Sequence, residues 1–138
     1  MDKNWFHIPI FVYGTLKRGE EREGMWPHAP SEVRFATTRA GLYDLGPYPA
    51  LGDGDDLVAG ELWFIAKQHM EHTLAVLDEI EGYHQRDDDL YLRRKVVCEE
   101  DAGDSHPAYT YFYAHDLSHA TRISPNADGL CVWTANQF

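Results

Sequence analysis

The sequence predicts an α+β fold in which a curled, barrel-like sheet of five to six strands has one main helix at its flank. Five stretches have the composition and alternation of strands, whereas one stretch has helical periodicity. These stretches do not alternate regularly as strand and helix, which argues against a doubly wound sheet. With 138 residues, the chain is expected to form a single domain over residues 1–138.

The strands are recognised by alternating side chains and by turn residues at their ends. In the second stretch, AGLYDLGPYPAL, Gly46 and Pro47 are typical of tight turns that follow a short strand. In the last stretch, Tyr109, Tyr111 and Tyr113 fall on one face of the predicted strand. The predicted strands lie within residues 7–16, 40–51, 57–65, 91–100 and 108–115.

The helix is predicted over residues 67–82, and its apolar stripe ends on an acid. Met70, Leu74 and Leu77 have the spacing of a core-facing stripe. Eleven residues after Met70 the helix returns to within about 20° of the same direction, and that position is Glu81. The following Gly82 is typical of a residue just past a helix end.

This phase predicts that Glu81 points inward, whereas Asp78 and Glu79 face water. The helix dipole, the two acidic neighbours and burial would all raise the pKa of Glu81. A carboxyl group that exchanges protons near neutral pH suits a general base that later acts as an acid. Alternatively, the helix frays before Glu81 and leaves it as one more surface carboxylate.

A second candidate region is FVYGTLKRG, residues 11–19, which leaves an apolar strand and turns at a glycine. A plain hairpin would need little beyond the glycine, so the flanking tyrosine and hydroxyl suggest the rim of a site for a small anion. Lys17 and Arg18 could raise the potential around such an anion. They could also lie at a solvated strand end, which is the more common place for Lys and Arg.

Composition excludes several classes of function. The formal charge of −11 does not suit a general nucleic-acid binder. No apolar run approaches the length of a membrane span, and the N-terminus lacks a signal-peptide pattern, so we expect a cytoplasmic protein. Acidic stretches at residues 53–56 and 87–89 are interpreted as solvated turns.

Neither cysteines nor histidines show a convincing metal pattern. Cys98 and Cys131 are far apart and are interpreted as small core residues. His115 and His119 would share a helix face only if that segment were helical, and its Asp and Ser residues favour a loop. We therefore expect no metal site.

Several motifs occur in one order along the chain, and together they resemble the γ-glutamylcyclotransferase-like family. This family includes the γ-glutamylamine cyclotransferases and the avirulence-induced-gene-like proteins. The motifs, spanning roughly residues 8–115, are FVYGTLKRG, GLYDLGPYPAL, VAGELW, LDEIEGY and YLRRKV.

The resemblance implies a small mixed β-barrel with flanking helices and an enzyme that needs no metal or organic cofactor. It implies that Glu81, and not Glu79, is the catalytic acid/base. It also implies that Tyr13, Gly14, Thr15 and Leu16 bind the substrate through main-chain groups, with the glycine allowing close approach. The implied reaction closes 5-oxoproline from a γ-glutamyl amine or γ-glutamyl amino acid and releases the free amine. We expect a small-molecule substrate and a monomer or weak homodimer.

The chain departs from the family pattern in two places. After KRG the family often has a polar stretch with an asparagine, whereas this chain has EEREGMW, residues 20–26. The tail after Ala114 matches loosely, with GLCVW corresponding to a closing strand. Tyr91 and Arg93 suit either pocket walls or supporting positions.

Two other functions stay open at this level. One is a non-catalytic module that binds a small carboxylate, for which the altered EEREGMW loop is the hint. The other is an amide or ester hydrolase on the same fold, with Glu81 as the base for water. A glutamate at position 81 favours the two enzymes over the binding module.

Overall fold

The computed structural model describes residues 8–135, and this part of the chain forms one α-helix and seven strands. His7, where the first predicted strand begins, lies outside the described residues. The elements are β1 (Ile10–Val12), β2 (Glu32–Asp44), β3 (Pro49–Phe64), α1 (Lys67–Glu81), β4 (Tyr91–Glu99), β5 (Ser105–Tyr113), β6 (Thr121–Arg122) and β7 (Leu130–Cys131). A 3₁₀ turn at Glu23–Met25 lies between β1 and β2.

Five strands close into a mixed barrel, which confirms the predicted fold class. Around the barrel the order is β2, β4, β5, β1 and β3, and pairing of β3 with β2 closes the ring. β1 and β5 run parallel, whereas the other pairs in the ring are antiparallel. The short strands β6 and β7 add to β2 and β3. β7 lies in GLCVW, where a closing strand was expected, but it pairs with β3 alone and does not close the ring.

Alternating side chains produce two cores, one on each face of the central strands. Phe11 and Tyr13 pack inside the barrel, together with both free cysteines, Cys98 and Cys131, as predicted. Ile10 and Val12 project from the other face of β1 toward the helix. Tyr109, Tyr111 and Tyr113 also lie on the helix side, as their spacing predicts. The strands that contact the helix are therefore buried on both faces.

Strands β2 and β3 are longer than predicted. β2 begins at Glu32, ahead of the predicted start at residue 40, and β3 continues through residues 53–56, where a turn was predicted. Pairing with β2 keeps this stretch in the strand, although the register shifts between Ala40 and Gly41. Because Ala40 pairs with Asp56 and Gly41 pairs with Gly52, residues 53–55 form an exposed bulge. Asp53 and Asp55 are exposed as expected, whereas Asp56 is half-buried and accepts hydrogen bonds from the Arg122 guanidinium. All three belong to a strand and not to a turn.

The helix follows the prediction and does not fray before Glu81. Leu77 is fully buried, and Met70 and Leu74 pack against the same core. Gly82 has a φ of 71°, a left-handed conformation that glycine adopts without strain. The N–H groups of Gly82 and Tyr83 donate to the last helical carbonyls. This cap fixes the backbone of the final turn, which contains Glu81.

The loop after the helix is a turn in which Asp87 and Asp88 are exposed, as predicted, but for Asp89 the prediction of a solvated position is wrong. Asp89 is buried, and its carboxylate accepts hydrogen bonds from the N–H groups of His84 (2.9 Å) and Arg86 (3.1 Å). The loop then returns to the helix end through a bond from the Leu90 N–H to the Gly82 carbonyl (3.1 Å). In this way Asp89 positions Leu90 and Tyr91 beside the helix C-terminus.

No helix among residues 8–135 has the length and apolar character needed to cross a membrane.

Candidate active site

A pocket opens where the turn after β1, the end of α1 and the start of β4 meet. It encloses about 630 Å³, measured out to its open mouth. The residues used below that line it are Tyr13, Gly14, Thr15, Leu16, Arg22, Tyr48, Pro49, Ile80, Glu81, Leu90, Tyr91 and Tyr111. All five residues predicted from sequence as site residues therefore line one cavity.

Glu81 lines this pocket, as the helical phase predicts. Its side chain is 14% exposed, and burial raises the pKa of its carboxyl from the usual 4.5 to about 7. The Arg22 guanidinium, 3.7 Å from the carboxylate, opposes part of this rise. Among the described residues, none donates a hydrogen bond to the Glu81 carboxylate. The pocket therefore contains a carboxyl group that is ready to gain or lose a proton near neutral pH.

Of the two neighbouring acids, Glu79 agrees with the prediction and Asp78 does not. The Glu79 side chain is 78% exposed and pairs with His84, so it faces water as expected. Asp78 does not: it is largely buried and accepts a hydrogen bond from the Tyr111 hydroxyl at 2.6 Å. The Arg93 guanidinium donates to the other oxygen of Asp78. The prediction that Asp78 faces water is wrong because the buried arc of the helix is wider than its apolar stripe.

Arg93 supports the site from outside the pocket. Its guanidinium lies 5.5 Å from the ring centroids of both Tyr83 and Tyr109, so it makes cation–π contacts with both rings. Arg93 and Tyr111 are paired residues on β4 and β5, so both reach Asp78 from neighbouring strands. Together they attach the last turn of the helix to the sheet.

The turn of residues 13–16 brings main-chain donors to the pocket wall. Its shape is fixed by a bond from the Lys17 N–H to the Gly14 carbonyl (3.1 Å) and one from the Arg22 N–H to the Thr15 carbonyl (2.8 Å). Thr15 and Leu16 are buried. Within residues 8–135, the N–H groups of Gly14, Thr15 and Leu16 donate no hydrogen bond to a protein acceptor. Buried N–H groups are nearly always paired, so these donors are available to a ligand.

Gly14 is required for a different reason from the one its position in the turn suggests. Its φ is not positive, so no unusual backbone angle demands glycine there. A Cβ built on Gly14 would lie 2.6 Å from Cγ of Pro49, well inside a normal contact. The glycine therefore makes room for Pro49, and no contact between Gly14 and a ligand is needed to explain it.

Two tyrosines of the pocket, Tyr13 and Tyr91, are held in the neutral form and in fixed positions. The Tyr13 hydroxyl donates to the Tyr111 carbonyl (2.7 Å), and the Tyr91 hydroxyl donates to the Pro49 carbonyl (2.8 Å). Burial, followed by the nearby Glu81 charge, raises the pKa of both hydroxyl groups. Tyr91 is thus a wall of the pocket, one of the two roles that its sequence context suggests.

The prediction of a solvated strand end is wrong for Lys17 and agrees with the position of Arg18. The Lys17 ammonium is buried and donates to the Trp133 carbonyl at 2.7 Å, which ties the turn to the chain after β7. Arg18 is exposed, with its guanidinium 5.9 Å from the Trp63 ring centroid. Neither side chain lines the pocket.

Histidines do not add a metal centre in the described part of the chain. Residues 114–120 form a loop, in which Asp116 accepts hydrogen bonds from Ser118. Within residues 8–135, no three His, Cys, Asp or Glu side chains come together as metal ligands.

Sequence reasoning missed Arg22, Tyr48 and the supporting role of Asp78. Arg22 had one signal, because it lies in the EEREGMW segment that departs from the family pattern. Tyr48 lies beside two prolines in a stretch that was interpreted as turns. Asp78 had no signal, since its partners depend on the register of β4 and β5.

The structure places a buried carboxyl group on the helix that flanks a small mixed barrel, and comparisons with known proteins identify this chain as a cyclotransferase-type enzyme. Residues 10–133 match the family described as "Gamma-glutamyl cyclotransferase, AIG2-like", and the chain belongs to this family. It is 35% identical over 117 residues to gamma-L-glutamyl-butirosin B gamma-glutamyl cyclotransferase of Niallia circulans, covering 83% of this chain and 72% of the relative.

Solved structures show the same fold at lower identity. The NMR structure of YtfP from Escherichia coli matches with a TM-score of 0.58 and 23% identity, over 95% of this chain and 100% of that protein. The crystal structure of YkqA from Bacillus subtilis matches with a TM-score of 0.58 and 22% identity, over 84% of this chain. The chain spans only 37% of the length of YkqA.

Asp78→Asn should lower the free energy of unfolding by about 1–3 kcal/mol, because the largely buried Arg93 loses its charged partner. Urea unfolding measures this change. Glu79→Gln is the matched control: it removes an exposed acid one residue away and should change stability by less than about 0.5 kcal/mol. Equal stability of the Asp78→Asn variant and the wild type would show that Asp78 does not anchor the helix.

Proposed function

We propose that this protein converts a γ-glutamyl amine or γ-glutamyl amino acid into 5-oxoproline and a free amine, with Glu81 as the acid and base. The observation that carries the proposal is that one pocket is lined both by the buried Glu81 carboxyl group and by the 13–16 turn. The carboxyl group has a pKa of about 7, and the N–H groups of the turn have no acceptor within residues 8–135. Family membership and the named reaction of the Niallia circulans relative support it.

Each step of the reaction has a group in the pocket that can perform it. The Glu81 carboxylate accepts a proton from the α-ammonium of the substrate, and the freed amine attacks the γ-carbonyl carbon. A new C–N bond closes the five-membered ring, and the carbonyl oxygen becomes an oxyanion that the N–H groups of the turn stabilise. Glu81 then returns the proton to the leaving nitrogen as the old C–N bond breaks and the oxyanion reverts to the lactam carbonyl. The second proton of the ring nitrogen passes through the Glu81 carboxylate to the released amine, which leaves as its ammonium form.

The intramolecular character of this reaction explains why such a small site suffices. The nucleophile and the carbonyl belong to one molecule, so the protein needs only to fold the substrate and move protons. Burial gives Glu81 a pKa near working pH, at which a group serves well both as base and as acid.

A screen of γ-glutamyl dipeptides, γ-glutamylamines and γ-L-glutamyl-butirosin B tests the proposal, with 5-oxoproline detected by mass spectrometry. Release of 5-oxoproline from at least one compound is expected. Release of free glutamate would instead indicate an amide hydrolase. Binding without turnover of any compound would indicate a small-carboxylate binding module.

Glu81→Gln should lower kcat by at least the 10²- to 10⁴-fold typical of general acid–base catalysis, because an amide cannot accept and return the proton. Substrate affinity should change much less. Steady-state release of 5-oxoproline measures the effect, and Glu79→Gln serves as the control. The assignment of Glu81 is wrong if its variant keeps near wild-type turnover, or if the Glu79 variant is the inactive one.

The raised pKa of Glu81 predicts two linked pH effects. Since the base must be ionised, kcat/KM should fall tenfold per pH unit below about pH 7. Because folding raises this pKa, the Glu81 contribution to stability is present below pH 4.5 and is lost as the pH rises through 7. Tyr13 and Tyr91 do not interfere, since their raised pKa values keep them protonated.

Thermal and urea unfolding of Glu81→Gln and wild type across pH 4–8 check the second effect. The variant should be more stable by about 3 kcal/mol above pH 7, and the difference should vanish below pH 4.5. A stability difference that does not vary with pH would contradict a raised pKa.

A further inference from the structure

Arg22 has an unusual position for a residue of the irregular segment between β1 and β2. Its guanidinium lines the pocket and lies 3.7 Å from the Glu81 carboxylate. The side chain is only 33% exposed. Arg22 belongs to the EEREGMW segment, in which this chain differs from the family pattern.

The main chain holds Arg22 in this position. Its N–H donates to the Thr15 carbonyl at 2.8 Å, and its carbonyl accepts from the Met25 N–H at 3.0 Å. The first bond attaches Arg22 to the turn that supplies the pocket's N–H groups, and the second belongs to the 3₁₀ turn at Glu23–Met25. A change in the turn would therefore move the guanidinium together with the N–H donors.

The guanidinium itself has donors to spare. Within the described residues it makes no hydrogen bond, because its distance to Glu81 is longer than such a bond. An arginine presents five N–H donors in a planar fork that matches the two oxygens of a carboxylate. A partly buried fork without a hydrogen-bonded partner is therefore suited to binding an anionic group of a ligand.

The charges around the pocket restrict which group that is. Within residues 8–135, Arg22 and Glu81 are the two charged side chains that line it. Other nearby charged groups already have hydrogen-bond partners. Lys17 donates to the Trp133 carbonyl, and Asp78 accepts hydrogen bonds from Tyr111 and Arg93. The pocket thus presents one cation and one anion side by side. This arrangement is complementary to an α-amino acid head group, which has an ammonium and a carboxylate on the same carbon.

We propose that Arg22 binds the α-carboxylate of the γ-glutamyl group and so selects substrates in which this carboxylate is free. The inference rests on the proposed function, because Glu81 must face the α-ammonium for the cyclisation. The α-carboxylate is attached to the same carbon, so it lies next to Glu81 and within reach of Arg22. The N–H groups of the 13–16 turn are then left for the γ-carbonyl oxygen.

Three substrates and three variants test this assignment. The substrates are γ-glutamyl-alanine, the same dipeptide with the glutamyl α-carboxylate converted to an amide, and the same dipeptide with the alanine carboxylate converted to an amide. The variants are Arg22→Gln, Arg22→Lys and the control Arg18→Gln, which removes an exposed arginine outside the pocket. Circular dichroism verifies that each variant is folded.

The informative quantity is the ratio of kcat/KM between two substrates within one variant. Arg22 also lowers the pKa of Glu81, so its removal alters the ionised fraction of the base. This fraction is the same for every substrate of a given variant and cancels in the ratio.

Wild type and Arg18→Gln should prefer the free α-carboxylate over its amide by about 10- to 100-fold, as expected for a charge-assisted pair. In Arg22→Gln this preference should nearly disappear, and Arg22→Lys should retain part of it. Calorimetry with the product gives a readout without turnover: wild type should bind 5-oxoproline more tightly than 5-oxoprolinamide, and Arg22→Gln should not.

The inference alone is wrong if Arg22→Gln keeps the wild-type preference for the α-carboxylate. It is also wrong if the variant instead changes the ratio for the alanine amide, because Arg22 would then bind the leaving group. If wild type releases neither 5-oxoproline nor, from the α-amide, 5-oxoprolinamide from any of these substrates or the screened compounds, the proposed function is wrong, and this assignment is wrong with it.

Discussion

The attachment of the helix end to the sheet determines where the buried carboxyl group of the site lies. The Asp78 carboxylate accepts hydrogen bonds from the Tyr111 hydroxyl on β5 and from the Arg93 guanidinium on β4. Gly82 caps the helix four residues later. With the last turn fixed at both ends, the Glu81 side chain is held in the wall of the pocket. The charged pair is largely buried, which makes it sensitive to the loss of either partner.

Burial of Glu81 is unfavourable for folding, and under the proposed function it is useful for catalysis. A buried ionised carboxyl group costs free energy, and the protein responds with a raised pKa. Arg22 limits this rise, and the Tyr91 hydroxyl is directed to Pro49 and does not donate to Glu81. The carboxylate is left without a hydrogen-bonded partner that would hold its proton in one state. A site that stabilised Glu81 fully would be a poorer acid and base.

The sequence predicted features that depend on local periodicity and failed where strand register decides. The helix, its cap and the direction of Glu81 follow from spacing along 15 residues, and all were confirmed. Asp78, Lys17 and Asp89 were misjudged as exposed because their partners lie on other segments: Arg93 and Tyr111, Trp133, and the N–H groups of a folded loop. The length of β3 was missed because an exposed acidic bulge has the composition of a turn.

The raised pKa of the buried Glu81 carboxyl group is tested most directly by titrating its side-chain carboxyl carbon by ¹³C NMR, with the signal assigned by comparison with Glu81→Gln. We expect a midpoint near pH 7, which should move upward in Arg22→Gln because the opposing positive charge is removed. A midpoint near the ordinary value of 4.5 would contradict it, since Glu81 would then be a solvated carboxylate and not a group prepared for proton transfer.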